Sequence, residues 1–266
     1  MEELSELLLP IKQLAEEAGE AIMSIYDTDY AIQHKEDKTP LTEADLAAHN
    51  IIDAGLQELL PAVPILSEES ATISYAERSS WNNYWLVDPL DGTREFIKRN
   101  GEFTVNIALI VNGESVLGVV HAPVTGANYY ACRGQGAYKQ EAGSDPVKIE
   151  TRKQPQGKIV VAGSRSHRGD SLNAFLENVG EYEIISMGSS LKSCLVAEGV
   201  ADVYARFGPT SEWDTAAAQC VVEEAGGVLT DTSMQQLRYN TKDSLLNPHF
   251  FVSGDPDIDW SKYMAD

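Results

Sequence analysis

The segment Trp85-Leu86-Val87-Asp88-Pro89-Leu90-Asp91-Gly92-Thr93 is the most informative part of this 266-residue sequence. Its apolar run predicts a buried strand that ends at two carboxylates three residues apart. Pro89 and Gly92 favour a turn there, and Thr93 stands where a short helix can begin. Carboxylate and carbonyl oxygens suit a hard divalent cation, and amides at a helix start suit a phosphate. Taken alone, the segment fits a surface turn equally well.

Two more acidic residues stand at the ends of predicted elements. Glu68 follows the apolar run Ile65-Leu66-Ser67, and Asp214 begins the helical pattern that Gly226-Gly227 closes. An Asp at a helix start is ordinarily an N-cap, which contributes about 1 kcal/mol. On its own, Asp214 therefore favours a structural role, and its significance depends on the other acidic positions.

Together, Glu68, Asp88, Asp91 and Asp214 resemble the acidic motifs of the inositol monophosphatase superfamily, whose members are magnesium-dependent, lithium-sensitive phosphatases. The family signatures have the form D-P-[IL]-D-G-[ST] and W-D-x-[AG]-[AG], and the resemblance runs from Asp37 to Val252. It implies a mixed α/β chain with the layered αβαβα sugar-phosphatase fold. It also implies two or three Mg²⁺ ions. The implied metal ligands are Glu68, Asp88, the Leu90 carbonyl, Asp91 and Asp214.

Four flanking segments resemble one branch of the family, the 3′(2′),5′-bisphosphate nucleotidases. These are Glu95 to Thr104, Val161 to His167, Gly188 to Gly199 and Arg206 to Thr210. The inositol phosphatases lack the SRSH and GSSxK patterns found here. The resemblance implies hydrolysis of the 3′-phosphate of adenosine 3′,5′-bisphosphate to AMP and phosphate. It also implies action on PAPS, the sulfated nucleotide of sulfate assimilation.

Two other functions stay open at this point. The first is an inositol or sugar monophosphatase of the same superfamily, which shares the metal-site motifs. The second is a catalytically silent nucleotide or metal sensor, against which the intact Asp37, Glu68 and Thr93 argue. A comparison of phosphate release from the nucleotide and from inositol monophosphate separates these possibilities.

The resemblance also implies roles for individual residues. Asp37 and Thr93 are expected to activate the attacking water, with Glu68 as the third catalytic residue and Asp45 supporting them. Lys192 is expected to hold the phosphate that is not cleaved, although from the residues alone a solvated helix position is preferred. His167 is expected to stack on the purine or bond the sugar phosphate. The implied substrate contacts are Glu68, Leu90, Asp91, Gly92, Thr93, Ser166, His167, Ser189, Ser190, Lys192 and Asp214.

The amino-acid composition limits the possible binding partners and the possible cellular compartment. The chain has 20 basic and 41 acidic residues, a formal net charge of −21, which argues against nucleic acid as a partner. A small nucleotide remains possible because a divalent cation can invert the local charge. Cys132, Cys194 and Cys220 have no disulfide or metal spacing and suggest a reducing, cytoplasmic compartment. No apolar run predicts a membrane span. The family resemblance also allows peripheral contact with the inner membrane, and the oligomeric state stays open.

The remaining pattern predicts two halves. Residues 1–150 form an N-terminal α+β half carrying most metal ligands, and residues 151–266 form a smaller α/β half carrying Asp214 and the nucleotide-binding segments. The first helix is predicted to start at Pro10, and a second to follow Thr42. Asn112-Gly113 predicts a hairpin, and the Gly134-Gln135-Gly136 sequence predicts a turn rather than a phosphate loop.

Overall fold

The computed structural model describes residues 2–26, 32–34, 40–70, 72–153, 155, 157–164 and 169–264. The α-helices of the described residues are α1 (Glu2–Tyr26), α2 (Glu43–Leu59), α3 (Tyr75–Arg78), α4 (Thr93–Ile97), α5 (Asp170–Val179), α6 (Leu191–Ala197) and α7 (Ala216–Glu224). Short 3₁₀ helices cover Glu68–Ser70, Glu212–Asp214 and Trp260–Tyr263. The strands are β1 (Ile32–His34), β2 (Pro40–Thr42), β3 (Ile65–Ser67), β4 (Asn83–Asp91), β5 (Thr104–Val111), β6 (Glu114–Ala122), β7 (Ala127–Cys132), β8 (Ala137–Gln140), β9 (Val147–Ile149), β10 (Ile159–Ser164), β11 (Tyr182–Met187), β12 (Val203–Arg206), β13 (Val228–Asp231) and β14 (Phe250–Ser253).

Two large sheets organise the described residues. The first has seven strands in the order β3-β4-β5-β6-β7-β8-β9, and the second has five in the order β11-β10-β12-β14-β13. In the first sheet the β3–β4 pair is parallel and the other pairs are antiparallel. In the second, β10 pairs in parallel with β11 and β12, whereas β14 pairs antiparallel with β12 and β13. Strands β1 and β2 form a separate antiparallel pair.

The helices cover these sheets in layers. Alternate residues of a strand point to opposite faces, so Val87 and Leu86 on β4 enter different hydrophobic clusters. The face with Val87 packs on α1 and α2, and the face with Leu86 packs on α6 and α7. Those two helices also cover one face of the five-stranded sheet, whose other face packs on α5. The resulting order, α1/α2, sheet, α6/α7, sheet, α5, confirms the predicted αβαβα class.

The expected start of the first helix at Pro10 is wrong. Helix α1 begins two turns earlier, at Glu2, and Pro10 lies inside it. A proline inside a helix removes one main-chain hydrogen bond. Leu8 is buried in the cluster beneath α1, and Leu4 and Leu7 pack against it, so apolar burial offsets that loss. The second helix begins directly after Thr42, as expected.

Both predicted turns of the seven-stranded sheet are confirmed. Asn112 and Gly113 have φ angles of 51° and 78° and join β5 to β6. Two positive φ angles are typical of a type I′ hairpin turn. The Gly134-Gln135-Gly136 turn joins β7 to β8, and its two glycine amides donate to the carboxylate of Glu224 on α7, both at 2.9 Å. These amides therefore bind a side chain of the chain itself.

The boundary predicted near residue 150 falls between the two sheets in sequence. Strand β9 still pairs with β8, and β10 begins the second sheet. The cluster around α6 and α7 nevertheless includes Leu86 and Ala108 from one sheet and Ala162 and Val252 from the other. The division into two halves stays a prediction, because the two sheets share this core.

Candidate active site

The acidic residues expected to hold metal lie close together. Carboxylate oxygens of Asp88, Asp91 and Asp214 lie within 4.8 Å of one another, and the three residues are buried or half-buried. The β4–β5 ladder shifts register between Asp88 and Asp91. This bulge allows two residues three apart on β4 to present their carboxylates at one place. Asp214 comes from the 3₁₀ helix before α7, and its side chain accepts from the Ser211 amide at 2.9 Å.

The electrostatics of this cluster favour a cation. Asp88 is 0% exposed, and burial first, then the neighbouring carboxylates, raises its pKa well above the usual range. Burial and Asp91 likewise raise the pKa of Asp214 to about 8. Asp88 Oδ1 accepts from the Leu90 amide at 3.1 Å, whereas Oδ2 has no hydrogen-bond partner among the described residues. A buried oxygen without a partner and converging carboxylates fit a hard divalent cation.

Two further acidic residues surround the cluster. Glu68 lines the same cleft, and its charge contributes to the raised pKa of both Asp88 and Asp214. Asp45 is buried on α2 and also acts on the pKa of Asp88. Sequence reasoning gave Asp45 only a supporting role, yet α2 carries it close enough for its charge to act on Asp88.

The residues after Asp91 form the floor of the cleft. Gly92 has a φ of 95° and precedes α4, which begins at Thr93. A Cβ on Gly92 would lie 3.3 Å from the carbonyl oxygen of Glu102, so both the φ angle and the space favour glycine. Thr93 Oγ1 lies 3.5 Å from the Leu90 carbonyl oxygen. The hydroxyl of Thr93 and the expected carbonyl ligand of Leu90 therefore face the same region.

The two serines expected to contact substrate both bind Asp91. Asp91 Oδ2 accepts from Ser189 Oγ at 2.7 Å, from the Ser190 amide at 2.7 Å and from Ser190 Oγ at 2.9 Å. Ser189 has a φ of 52°, a left-handed conformation that is uncommon outside glycine. The turn before α6 therefore ties the C-terminal part of the chain to a predicted metal ligand.

Lys192 lies beside these serines and is not a solvated helix residue. It is 6% exposed, its Nζ donates to the Ser189 carbonyl at 2.5 Å, and it lies 5.3 Å from the centre of the Tyr204 ring. Burial lowers its pKa to about 8, against the opposing effect of Asp91. A smaller recess next to the acidic cluster contains Lys192, Asp91 and Arg206. The cleft thus combines acidic and basic groups.

The main cleft has a volume of about 890 Å³. It is lined by the acidic cluster, by Arg206 at the end of β12 and by Phe207 and Pro209 directly after that strand. Tyr204 also lines it and was missed by sequence reasoning, because a tyrosine in an apolar strand pattern gives no sign of its direction. Three of the expected site residues, Asp37, Ser166 and His167, lie outside the described residues.

The comparisons with known proteins agree with this geometry. A model of the inositol monophosphatase family matches residues 3–254, and the chain belongs to that family. The chain is 49% identical over 250 residues to the 3′(2′),5′-bisphosphate nucleotidase CysQ of Salmonella typhimurium, covering 93% of this chain and 99% of that protein. It is 41% identical over 257 residues to the protein of the same name from Aggregatibacter actinomycetemcomitans, covering 96% of each.

Solved structures show the same relationship. The fold is similar to the crystal structure of CysQ from Bacteroides thetaiotaomicron, a bacterial member of the family, with a TM-score of 0.82 and 41% identity over 94% of this chain and 97% of that chain. The suhB protein of Bartonella henselae is also similar, with a TM-score of 0.79 and 26% identity, covering 97% of both chains. The predicted family, fold class and phosphatase assignment are confirmed.

Among the described residues, no helix is long and apolar enough to cross a membrane.

Proposed function

We propose that this protein removes the 3′-phosphate of adenosine 3′,5′-bisphosphate, giving AMP and phosphate. The observation that carries the proposal is the pairing of the carboxylate cluster with the buried cation Lys192 in adjoining recesses. A substrate with two phosphates needs two anion sites, one at the metal cluster and one away from it. The similarity to the nucleotidases named CysQ supports the same substrate.

Mg²⁺ is the cation that this oxygen-only donor set suits, and we propose two or three ions. Glu68, Asp88, Asp91, Asp214 and the Leu90 carbonyl would hold them. When bound, Mg²⁺ supplies positive charge that stabilises the developing negative charge of the transferred phosphate and favours ionisation of water. Without that charge, the carboxylates and an incoming phosphate repel one another.

The side chains around the cluster orient the reactants. Thr93 Oγ1, near the Leu90 carbonyl, is placed to donate to or accept from a water at the cleft floor. Asp37 is proposed to accept the proton of that water, and buried Asp45 to support the same side of the site. The Gly92 and Thr93 amides at the start of α4 are proposed to bind the cleaved phosphate. Water adds to the phosphorus and gives a proton to the acidic side chain. The P–O ester bond breaks, and the ribose 3′ oxygen leaves with the nucleotide and takes a proton from solvent to become the hydroxyl group of AMP.

The second phosphate is assigned to Lys192. Because the Lys192 ammonium group is buried, water screens its charge only weakly. Its attraction for a neighbouring phosphate is therefore stronger than it would be in water. Arg206 lies in the same recess and adds a second positive charge. Ser189, Ser190, Ser166 and His167 are proposed as further nucleotide contacts, with the two serines also bonded to Asp91.

We also propose a second substrate, PAPS, and a cytoplasmic location. PAPS carries the same 3′-phosphate, so the same cleft would convert it to the sulfated nucleotide without that group, in sulfate assimilation and nucleotide recycling. A cytoplasmic location agrees with three free, buried cysteines. Peripheral contact with the inner membrane stays a prediction from the resemblance.

Product analysis tests this function. Purified protein is incubated with adenosine 3′,5′-bisphosphate, with Mg²⁺ or with excess EDTA, and the nucleotides are separated by chromatography. We expect 5′-AMP and phosphate in equal amounts, with Mg²⁺ only. Adenosine 3′-phosphate as the product would contradict the assignment of the two phosphate sites. Binding of Mg²⁺ and nucleotide without turnover would indicate a silent sensor.

A further inference from the structure

Two polar side chains of β5 lie opposite the acidic bulge of β4. In the β4–β5 ladder, Asn106 pairs with Asp88 and Thr104 pairs with Asp91. Because alternate residues of a strand point to the same face, the side chains of Thr104 and Asn106 share one face. Both are buried, and Asn106 is 1% exposed. A fully buried amide is retained only where its polar atoms find partners.

Asn106 finds its partners in the site. Its Nδ2 donates to Ser190 Oγ at 2.9 Å, and its Oδ1 accepts from Thr104 Oγ1 at 3.0 Å. Thr104 Oγ1 is in turn hydrogen-bonded to Ser189 Oγ. Strand β5 of the seven-stranded sheet is therefore bonded to both serines of the turn that precedes α6.

The bond from Asn106 determines what the Ser190 hydroxyl can do. A hydroxyl has one hydrogen and two acceptor sites. Because Ser190 Oγ accepts from Asn106, its own hydrogen is directed to Asp91 Oδ2 or to the Asp214 carbonyl, each 2.9 Å away. The donor on Asn106 thus keeps Ser190 as a donor toward the carboxylate cluster.

We propose that Asn106 is a positioning residue for the metal site, acting through Ser190 on Asp91. The inference rests on the proposed function for its catalytic meaning. Asp91 Oδ2 is held by Ser189 and Ser190, which leaves the other oxygen for a cation. Without the amide of Asn106, the Ser190 hydroxyl is free to rotate away from Asp91. The Asp91 side chain then has more conformations in the metal-free protein, and binding a cation costs more conformational entropy. Partners of this kind typically change metal affinity about 10- to 100-fold.

The chain offers a matched control. Asn128 on β7 is also 1% exposed and also makes two side-chain hydrogen bonds, one with His121 Nδ1 at 2.9 Å and one to Glu16 Oε1 at 2.8 Å. None of these partners lines the cleft. Asn106→Ala and Asn128→Ala therefore remove the same buried group from the same sheet, and only the first is expected to affect the cations.

The test measures Mn²⁺ binding by electron paramagnetic resonance, which does not depend on turnover. We expect the dissociation constant to rise roughly tenfold in N106A and to stay within about twofold in N128A. S190A, which adds no bulk, should weaken binding at least as much. The double variant N106A/S190A should be no weaker than S190A, because Asn106 acts through Ser190.

Several outcomes would overturn the inference. Wild-type Mn²⁺ affinity in N106A is one, and effects of N106A and S190A that multiply in the double variant are another. If N106A does not fold, wild-type affinity in S190A overturns it as well. Wild-type protein that binds Mn²⁺ but releases no phosphate would instead refute the proposed function and leave the positioning of Asp91 intact.

Discussion

Gly118 on β6 lies directly against the main chain of Ala217 on α7: a Cβ at position 118 would come within 2.2 Å of the Ala217 carbonyl oxygen. A hydrogen bond joins the same two elements, because Ser115 Oγ on β6 donates to the carbonyl of Ala216 on α7 at 2.7 Å. The first turn of α7 follows Asp214 in sequence. We therefore expect this contact to set the position of Asp214 relative to the carboxylates of β4.

Substitution of Gly118 by alanine tests this contact. Because the obstructing atom is main chain, α7 or β6 must shift, at a cost of about 1–3 kcal/mol for overpacking. We expect G118A to melt at a lower temperature and to need more Mg²⁺ for half-maximal phosphate release. Unchanged Mg²⁺ dependence in folded G118A would show that α7 does not set the position of Asp214.

Asp88→Asn tests the charge of the metal cluster. Burial and the neighbouring carboxylates raise the pKa of Asp88, so replacing it with a neutral isostere removes repulsion in the metal-free protein. We expect metal-free D88N to melt no lower than the wild type, to lose the stabilisation by Mg²⁺, and to release phosphate roughly 100-fold more slowly or worse. Near-normal activity at millimolar Mg²⁺ would refute the metal assignment.

Lys192→Ala tests the second phosphate site. A charge-assisted hydrogen bond contributes about 1.5–3 kcal/mol, so KM for adenosine 3′,5′-bisphosphate should rise roughly ten- to a hundredfold. The effect on kcat should be smaller, because the contact is equal in the ground and transition states. KM for a substrate with one phosphate serves as the internal control. An equal rise for both substrates would mean that Lys192 is structural.

The stability of the chain should also depend on pH through His121. Burial lowers the pKa of His121, which packs where a Cβ on Gly19 of α1 would come within 2.5 Å of its ring. Since the folded-state pKa lies below the unfolded value of about 6.5, this contribution is present above that pH and is lost as the pH falls through it.

Urea unfolding of wild type and His121→Gln at pH 7 and pH 5 isolates this contribution. The carboxylates titrate in both proteins, so the difference between the two free energies of unfolding reports on position 121. We expect that difference to shift against the wild type on acidification, by up to about 1.4 kcal/mol per pH unit. The same loss of stability in both proteins would show that His121 does not titrate as burial requires.

Local sequence patterns predicted the parts of the site whose chemistry is local. Asp88, Asp91 and Gly92 lie within five residues at the end of a strand. Their residue types favour a turn that brings two carboxylates together. Asp214 required the family signature, because a carboxylate at a helix start has an ordinary structural explanation. Helix α1 is longer than predicted, because the burial of apolar residues before Pro10 outweighs the main-chain hydrogen bond that the proline removes.

Residues whose role depends on pairing between distant strands could not be predicted. Asn106 and Thr104 look like polar interruptions of an apolar strand until the ladder places them opposite Asp88 and Asp91. The sequence predicted Ser189 and Ser190 only as substrate contacts, because it does not show that both hydroxyls also reach Asp91. Such contacts become visible only when the register and the layer packing are known.

This cleft is proposed to select a nucleotide with two phosphates. The most direct measurement compares kcat/KM for adenosine 3′,5′-bisphosphate and for inositol monophosphate, with one preparation and one Mg²⁺ concentration. We expect a preference of at least roughly tenfold for the nucleotide, which is the contribution of one charged contact. Equal values, or a preference for inositol monophosphate, would contradict it.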